Sequence, residues 1–245
     1  GLGFGGPVDY RRQVTRGSFH SPGWDDLPLG EVFGKRLGLP TLLDNDANAG
    51  GLAEALFGAA KGYATSLYVN VGTGIGGAVI MDGAVHHGAT GCAGEIGHVT
   101  IDVEGPLCNC GKRGCLEAVA SGTGMARAAA AAGRGELSGR DVMRAAENGD
   151  EVCVEIVRRS AAALGMAIAN AVNVLDPDIV VLGGGVPEAG SMWLTPLWES
   201  FADHAVAPAA GTKLAPAALG YEAGVLGAAA LGIQAFRAEG EAREG

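Results

Sequence analysis

The sequence predicts an α/β protein with a packed core, and three observations carry that expectation. Hydrophobic residues make up 48% of the chain against 18% charged, a balance that favours a folded core over disorder. Short β-branched runs alternate with longer Ala/Leu-rich stretches of helical period. The 43 glycines show no period and gather where the predicted strands end, as in folds whose loops approach a ligand closely. With 245 residues the chain can form one large domain or two modest lobes.

Taken in order, Gly1 to Pro7 reads as the end of a strand running into a loop. A chain that opens inside a strand, without methionine, is expected to have lost its beginning. Thr41 to Leu43 is a candidate strand after the turn at Gly38 and Pro40. Asp44-Asn45-Asp46-Ala47-Asn48 then caps a helix running to about Phe57. Ser66 to Val71 alternates as a strand does, Gly72 to Gly77 forms a tight turn, and Ala78 to Met81 is a second strand. Asp82-Gly83 is a strong hairpin signal. Pro106 to Gly114 is a cysteine-rich loop, and Ser121 starts a helix. A long helical pattern covers about Val152 to Leu175. After the turn at Asp176-Pro177-Asp178, Ile179 to Leu182 is a buried strand ending at Gly183-Gly184-Gly185. Helices are expected from Met192 to about Val206 and from Glu222 to Phe236.

The formal net charge is −10 and the sequence pI about 4.9, with no basic stripe, which argues against a nucleic-acid surface in this segment. An anionic ligand such as ATP remains compatible, because backbone N–H groups, helix N-termini and Mg²⁺ hold phosphates without many lysines. No secretory signal opens the chain, and no apolar run reaches the roughly 18 residues of a membrane span. A cytoplasmic protein is expected, whose five cysteines are thiols or metal ligands rather than disulfides.

Cys108-Asn109-Cys110-Gly111-Lys112-Arg113-Gly114-Cys115 puts three thiols in one turn-rich loop. Tetrahedral zinc needs four ligands, and His98 shortly upstream is the natural fourth. A complete set would make the metal structural, with no open position for water. Three unrelated thiols, or one disulfide with a cysteine left over, is the plainer alternative. In Val71-Gly72-Thr73-Gly74-Ile75-Gly76-Gly77 the glycines let N–H groups converge on a phosphate and Thr73 adds a hydroxyl. The segment is neither a Walker loop nor a Rossmann fingerprint, and a plain glycine-rich hairpin would look the same.

The Asp44 to Asn48 run fails the EF-hand register, since Ala49 and Ala55 stand where glycine and a bidentate glutamate are needed. Capping explains one of its polar residues but not four. A carboxylate after an apolar strand points where ligands bind, which makes Asp46 a plausible general base. Glu95 and Glu117 flank the metal loop and suit vicinal hydroxyls, or are solvated carboxylates. Gly183 to Gly185 admits a flat ligand or merely ends a strand. His20, His86, His87 and His204 read as loop or surface histidines, and Cys92 and Cys153 as core or near-loop thiols.

In this order, Gly5-Gly6-Pro7-Val8-Asp9, Asn45-Asp46-Ala47-Asn48, the Gly72 to Gly77 loop, Gly94-Glu95-Ile96-Gly97-His98, the cysteine loop with Glu117, and Gly183 to Gly185 resemble the ROK sugar kinases (repressor, open reading frame, kinase). The resemblance covers essentially the whole chain, and the Glu-Ile-Gly-His box with the cysteine loop is highly specific. It implies an actin-like, ribonuclease-H-like two-lobed fold with the active site in the cleft. It implies ATP-dependent phosphorylation of a hexose, glucose foremost, at a primary hydroxyl, with Mg²⁺ and a structural Zn²⁺. Asp46 would be the base; Asn45, Glu95, His98 and Glu117 would hold the sugar, with Gly6 beside it. Gly72, Thr73, Gly74 and Gly76 would meet the phosphates, Gly184 and Gly185 the adenosine. His98, Cys108, Cys110 and Cys115 would hold zinc, with His98 turning its other ring nitrogen to the sugar. Residues 1–44 would be what remains of the first lobe, completed by a helix at about 224–240, and 45–223 the second. Family members are commonly dimers or tetramers, so the resemblance implies a homodimer or homotetramer. They also carry an N-terminal Asp-x-Gly-Gly-Thr phosphate loop, which does not occur here, so the first lobe is expected to be truncated. The sugar-sensing domain of a ROK repressor and an inactive sugar-binding fragment are the competing readings.

Overall fold

The computed structural model describes residues 1–18, 22–185 and 190–244. The chain divides into two compact units. The first takes Gly1–Tyr68, Gly77–Gly94 and Ala217–Gly245; the second takes Val69–Gly76 and Glu95–Pro216. The sequence-based boundary after Asp44 differs from this division. The reason is packing: the helix after Asn45 lies against the C-terminal helix and against the first strand, and so stays with them.

In the first unit, β1 (Leu2–Phe4) pairs in parallel with a later strand, and β2 (Val8–Asp9) with β3 (Val14–Thr15) makes a short antiparallel pair. α1 (Leu29–Leu37), which the sequence reading did not assign, follows and ends on Gly38 in the left-handed region. β4 (Leu43–Asn45) is the partner of β1, with Gly3 opposite Asp44 and Phe4 opposite Asn45. The strand therefore begins two residues later than expected from Thr41, and runs directly into α2 (Asp46–Phe57). Leu43, Ala49, Leu52 and Ala53 are fully buried on these elements.

β5 (Thr65–Val71) and β6 (Ile75–Met81) run through both units, and the five-stranded sheet has the order β7-β6-β5-β8-β9, with β7 at Ala84–Val85, β8 at Ile179–Gly184 and β9 at Lys213–Pro216. β6 starts at Ile75, not Ala78, so the expected turn is shorter and Ile75 to Gly77 belong to the strand. Between β6 and β7, Asp82 (φ 49°) and Gly83 (φ 74°) take the left-handed conformations of a two-residue hairpin turn.

The second unit is mainly helical around β8 and β9. α3 (Leu116–Ala120) and α4 (Gly122–Ala131) meet at Ser121, whose hydroxyl accepts the Gly124 N–H. α5 (Gly139–Glu147) opens with a capping box from Ser138 and Asp141. α6 (Glu151–Leu175) buries Val157, Ala161, Leu164, Ile168 and Val172 along one face and packs against α7 (Gly190–His204), where Trp193, Leu197 and Phe201 are buried. α8 (Ala223–Glu244) returns the chain to the first unit. No helix among the described residues is long and apolar enough to cross a membrane.

One buried carboxylate in the first unit has no counterpart in the sequence reading. Glu54 is 0% exposed, and its oxygens accept the N–H groups of Ala59, Ala218 and Leu219 at 2.8, 3.1 and 2.9 Å. It ties the end of α2 to the segment leading into α8. Glu54→Leu would leave those N–H groups without an acceptor inside the core. The expected loss is about 3 kcal/mol or more of stability, measured as a lower urea midpoint. A midpoint equal to the parent's would show that the carboxylate does not hold these segments.

Candidate active site and metal centre

In the first unit the residues expected at the sugar gather at the start of α2. Asn45 has extended backbone (φ −66°, ψ 149°), and its Oδ1 accepts the N–H groups of Ala47 and Asn48 at 2.9 and 3.2 Å. Its amide nitrogen donates to the Gly6 carbonyl at 3.1 Å, which joins Asn45 to the loop after β1. Asp46 is the first residue of the helix and is exposed, and its Oδ1 also accepts the Ala47 N–H at 2.9 Å. A side chain on Gly5 would start 3.6 Å from Asp46 Oδ2. Gly6, Asn45 and Asp46 therefore form one cluster, and the positive end of α2 favours negative charge at Asp46. Burial, then the charges of Glu54 and Asp46, pushes the nearby Tyr68 phenol up to about 12.

Behind this cluster lies a group that the sequence reading did not assemble. Asp44 is 1% exposed, and its Oδ1 accepts from the Asn45 N–H and from Asn48 Nδ2, both at 2.8 Å. Its other oxygen lies 2.7 Å from His87 Nε2. Tyr10 stacks on the His87 ring at a centroid distance of 3.8 Å, and its phenol is raised by burial and by the Asp44 charge. His87 stands in a loop as expected but is not a surface histidine, because its side chain is only 21% exposed. His204 is exposed and its Nδ1 faces the Ser200 carbonyl; His20 lies outside the described residues.

In the second unit the two glycine segments assigned to a nucleotide meet at Val71. The Gly185 N–H donates to the Val71 carbonyl at 2.8 Å, and a side chain on Gly184 (φ 77°) would start 2.1 Å from the same oxygen. The 72–74 turn is closed by Gly72 N–H to Gly74 O at 2.9 Å and held by Gly122 N–H to Gly72 O at 2.8 Å and Thr123 N–H to Thr73 O at 3.2 Å. Gly72, Thr73, Gly184 and Gly185 are exposed, while Gly74 and Gly76 are half-buried.

Glu117 is not a solvated carboxylate. It sits in the first turn of α3, is 9% exposed, and its Oε2 accepts the Ile75 N–H at 2.9 Å. Its Oε1 is 3.9 Å from Cys108 Sγ. His98 ends the short 3-10 helix Ile96–His98, which approaches β6 so closely that a side chain on Gly97 would start 2.0 Å from the Ile75 carbonyl. Gly97→Ala is accordingly expected to cost roughly 3 kcal/mol, read from urea unfolding, since backbone must shift to admit the methyl. An unchanged midpoint would refute the close approach.

His98, Cys108, Cys110 and Cys115 offer ligand atoms that all lie within 4.8 Å of one another. His98 Nδ1 is 3.7 Å from Cys108 Sγ, and Cys110 Sγ is 3.6 Å from Cys115 Sγ. Tetrahedral zinc with Zn–S bonds of about 2.3 Å separates its sulfurs by about 3.8 Å, so the donor set and its spacing fit. All three thiols are free of disulfides, as expected. Nε2 of His98 points the other way, 3.9 Å from Glu95 Oε2. Burial pushes the Cys115 thiol up to about 12 and raises Cys108. At Cys110 burial also raises the thiol, but the hydrogen bond to the Lys112 backbone and those to Cys108 and Cys115 outweigh it and lower the net value. Without a cation the buried thiols hold their protons, so zinc binding must release them. Zinc affinity is therefore expected to fall as pH drops from 8 to 6.5, by about tenfold or more, in a competition titration against a chelator; a pH-independent affinity would exclude thiolate ligation. Of the other cysteines, Cys153 is buried and Cys92 exposed.

In sequence and in fold the chain is similar to known proteins. The family model described as "ROK family" matches residues 1–235. A glucokinase from Halalkalibacterium halodurans is 40% identical over 245 aligned residues, covering 93% of this chain and 74% of that protein. The crystal structure of a ROK hexokinase from Thermus thermophilus superposes with a TM-score of 0.87 at 39% identity, covering all of this chain and 80% of that one. A ROK family glucokinase from Streptomyces griseus, solved in complex with glucose and AMPPNP, gives a TM-score of 0.83 at 32% identity over 96% of this chain and 81% of that one. A xylose repressor from Bacillus subtilis is 31% identical over 87% of this chain and 56% of its own length. Fold and relatives define a protein of the sugar-kinase class with the α/β, actin-like ATPase fold. The chain belongs to the ROK family.

Proposed function

We propose that the protein transfers the γ-phosphoryl group of ATP, supplied with Mg²⁺, to the primary hydroxyl of a hexose, with glucose the preferred acceptor. Asp46 accepts the proton of that hydroxyl while its oxygen forms the bond to the γ-phosphorus and the bond to ADP breaks. Asn45, Glu95, His98 and Glu117 hold the remaining hydroxyls, and Gly6 lies beside the sugar. The turn at Gly72, Thr73 and Gly74, with Gly76, presents N–H and hydroxyl groups to the phosphates, and Gly184 and Gly185 leave a side-chain-free surface for the adenosine. Zinc on His98, Cys108, Cys110 and Cys115 would supply structure only, since four protein ligands leave no position for water. Thiolate-side ligation through Nδ1 leaves Nε2 of His98 with a defined tautomer for the sugar.

The observation that carries this reading is Asp46, exposed at the positive end of α2 and one residue from the cap that binds Gly6. A sugar sensor needs the hydroxyl-binding residues but no base and no phosphate turn, which is why the kinase is preferred to the repressor. A coupled assay of ADP release against a panel of hexoses, on a protein with the N-terminal phosphate-loop segment restored, tests it. Turnover with glucose, at higher kcat/KM than with N-acetylglucosamine or N-acetylmannosamine, is the expected result. Heat of glucose binding in calorimetry without turnover on any hexose would overturn it in favour of the sensor or an inactive sugar-binding protein.

A further inference from the structure

We propose that His87 is a positioning residue for phosphoryl transfer, holding Asp44 so that the chain through Asn45 delivers Asp46 in its working orientation. The inference rests on the reading of Asp46 as the base.

The geometry runs inward from the site. Asp46 follows Asn45, whose side chain both caps α2 and binds the Gly6 carbonyl. Asn45 in turn is held from below, because its own N–H and the side chain of Asn48 both donate to Oδ1 of Asp44. Asp44 is 1% exposed, so water does not supply the partner for its second oxygen; His87 Nε2 does, at 2.7 Å. Three donors then converge on the two oxygens, the pattern of a carboxylate that only accepts. That requires the proton on Nε2 of His87, and the stacked Tyr10 ring limits rotation of the imidazole. Remove the imidazole and a buried carboxylate is left one donor short, beside the peptide that orients the base. Buried carboxylates respond by turning toward other donors or taking up a proton, and either change moves the Asn45–Asp46 link. A displacement near 1 Å at a reacting group costs on the order of 100-fold in rate.

The test compares His87→Gln, His87→Asn and His87→Leu in the full chain, each checked by thermal melt. The Gln amide nitrogen reaches the place of Nε2, whereas the Asn amide is too short. His87→Gln is expected to keep kcat within about threefold of the parent. His87→Asn and His87→Leu are expected to lower kcat by about 10- to 100-fold with KM for ATP unchanged. On an Asp46→Asn background, His87→Asn should add less than about twofold, because an orientation effect disappears with the group oriented. If His87→Leu fails to fold, His87→Asn carries the comparison. The proposal is overturned if folded His87→Asn has parental kcat, if Gln is as poor as Asn, or if the losses multiply on the Asp46→Asn background. Parental kcat in Asp46→Asn itself would instead remove the reading of Asp46 as base, which keeps the two failures distinct.

Discussion

Asp46→Asn is expected to lower kcat by at least about 100-fold while glucose affinity stays within about threefold of the parent. The asparagine keeps the size of the side chain and an oxygen that can still accept the Ala47 N–H, so the first turn of α2 survives. Asn45, which caps the helix and binds Gly6, is untouched. What is lost is the capacity to take a proton in the transition state, an interaction absent from the ground state, and losses of that kind appear in kcat rather than in binding. Steady-state kinetics together with calorimetric titration of glucose measures both quantities. A folded Asp46→Asn protein with parental kcat would exclude Asp46 as the base. Lost glucose binding at unchanged melting temperature would give it a binding role instead.

The second large effect is expected at Cys115. Cys115→Ser should reduce bound zinc from about one equivalent to below about a tenth of that, and lower the melting temperature by roughly 10 °C or more. Cys115 is 0% exposed, pairs by a backbone bridge with Thr100, and occupies the cap position of α3, one turn of which carries Glu117. Losing the metal would leave Cys108 and Cys110 close together with no cation to organise them, and would release both the His98 ring and the start of α3. Glucose binding should weaken in parallel, because His98 and Glu117 are held by the same loop. Elemental analysis and a thermal melt decide the matter, and retention of a full equivalent of zinc in the variant would show that the ligand set is wrong.

The cluster of His98, Cys108, Cys110 and Cys115 was legible in the sequence because all four residues lie in one short segment, so spacing alone restricts their geometry. The hairpin at Asp82-Gly83 and the cap at Asn45 were legible for the same reason, since turn and cap chemistry is local. The limits of β4 and β6 were not. β4 is defined by its pairing with β1, some forty residues earlier in the chain, and β6 begins where Glu117 takes the N–H of Ile75. α1 and α5 passed unnoticed because their apolar faces are thin, with only Gly30 buried on α1 and only Val142 and Ala146 on α5.

By itself, then, the amino-acid order determined which residue types stand close together: three thiols and an imidazole that can hold a metal, an acid directly after a strand, glycines at strand ends. Those depend on residue type and short spacing. Tertiary structure decided which polar groups are buried and whom they serve. Glu54 receives N–H groups from residues up to 165 positions away, and Asp44 meets His87 43 positions away. Burial and long-range hydrogen bonding arise only when distant segments pack, so no local pattern could have distinguished these carboxylates and this imidazole from solvated ones.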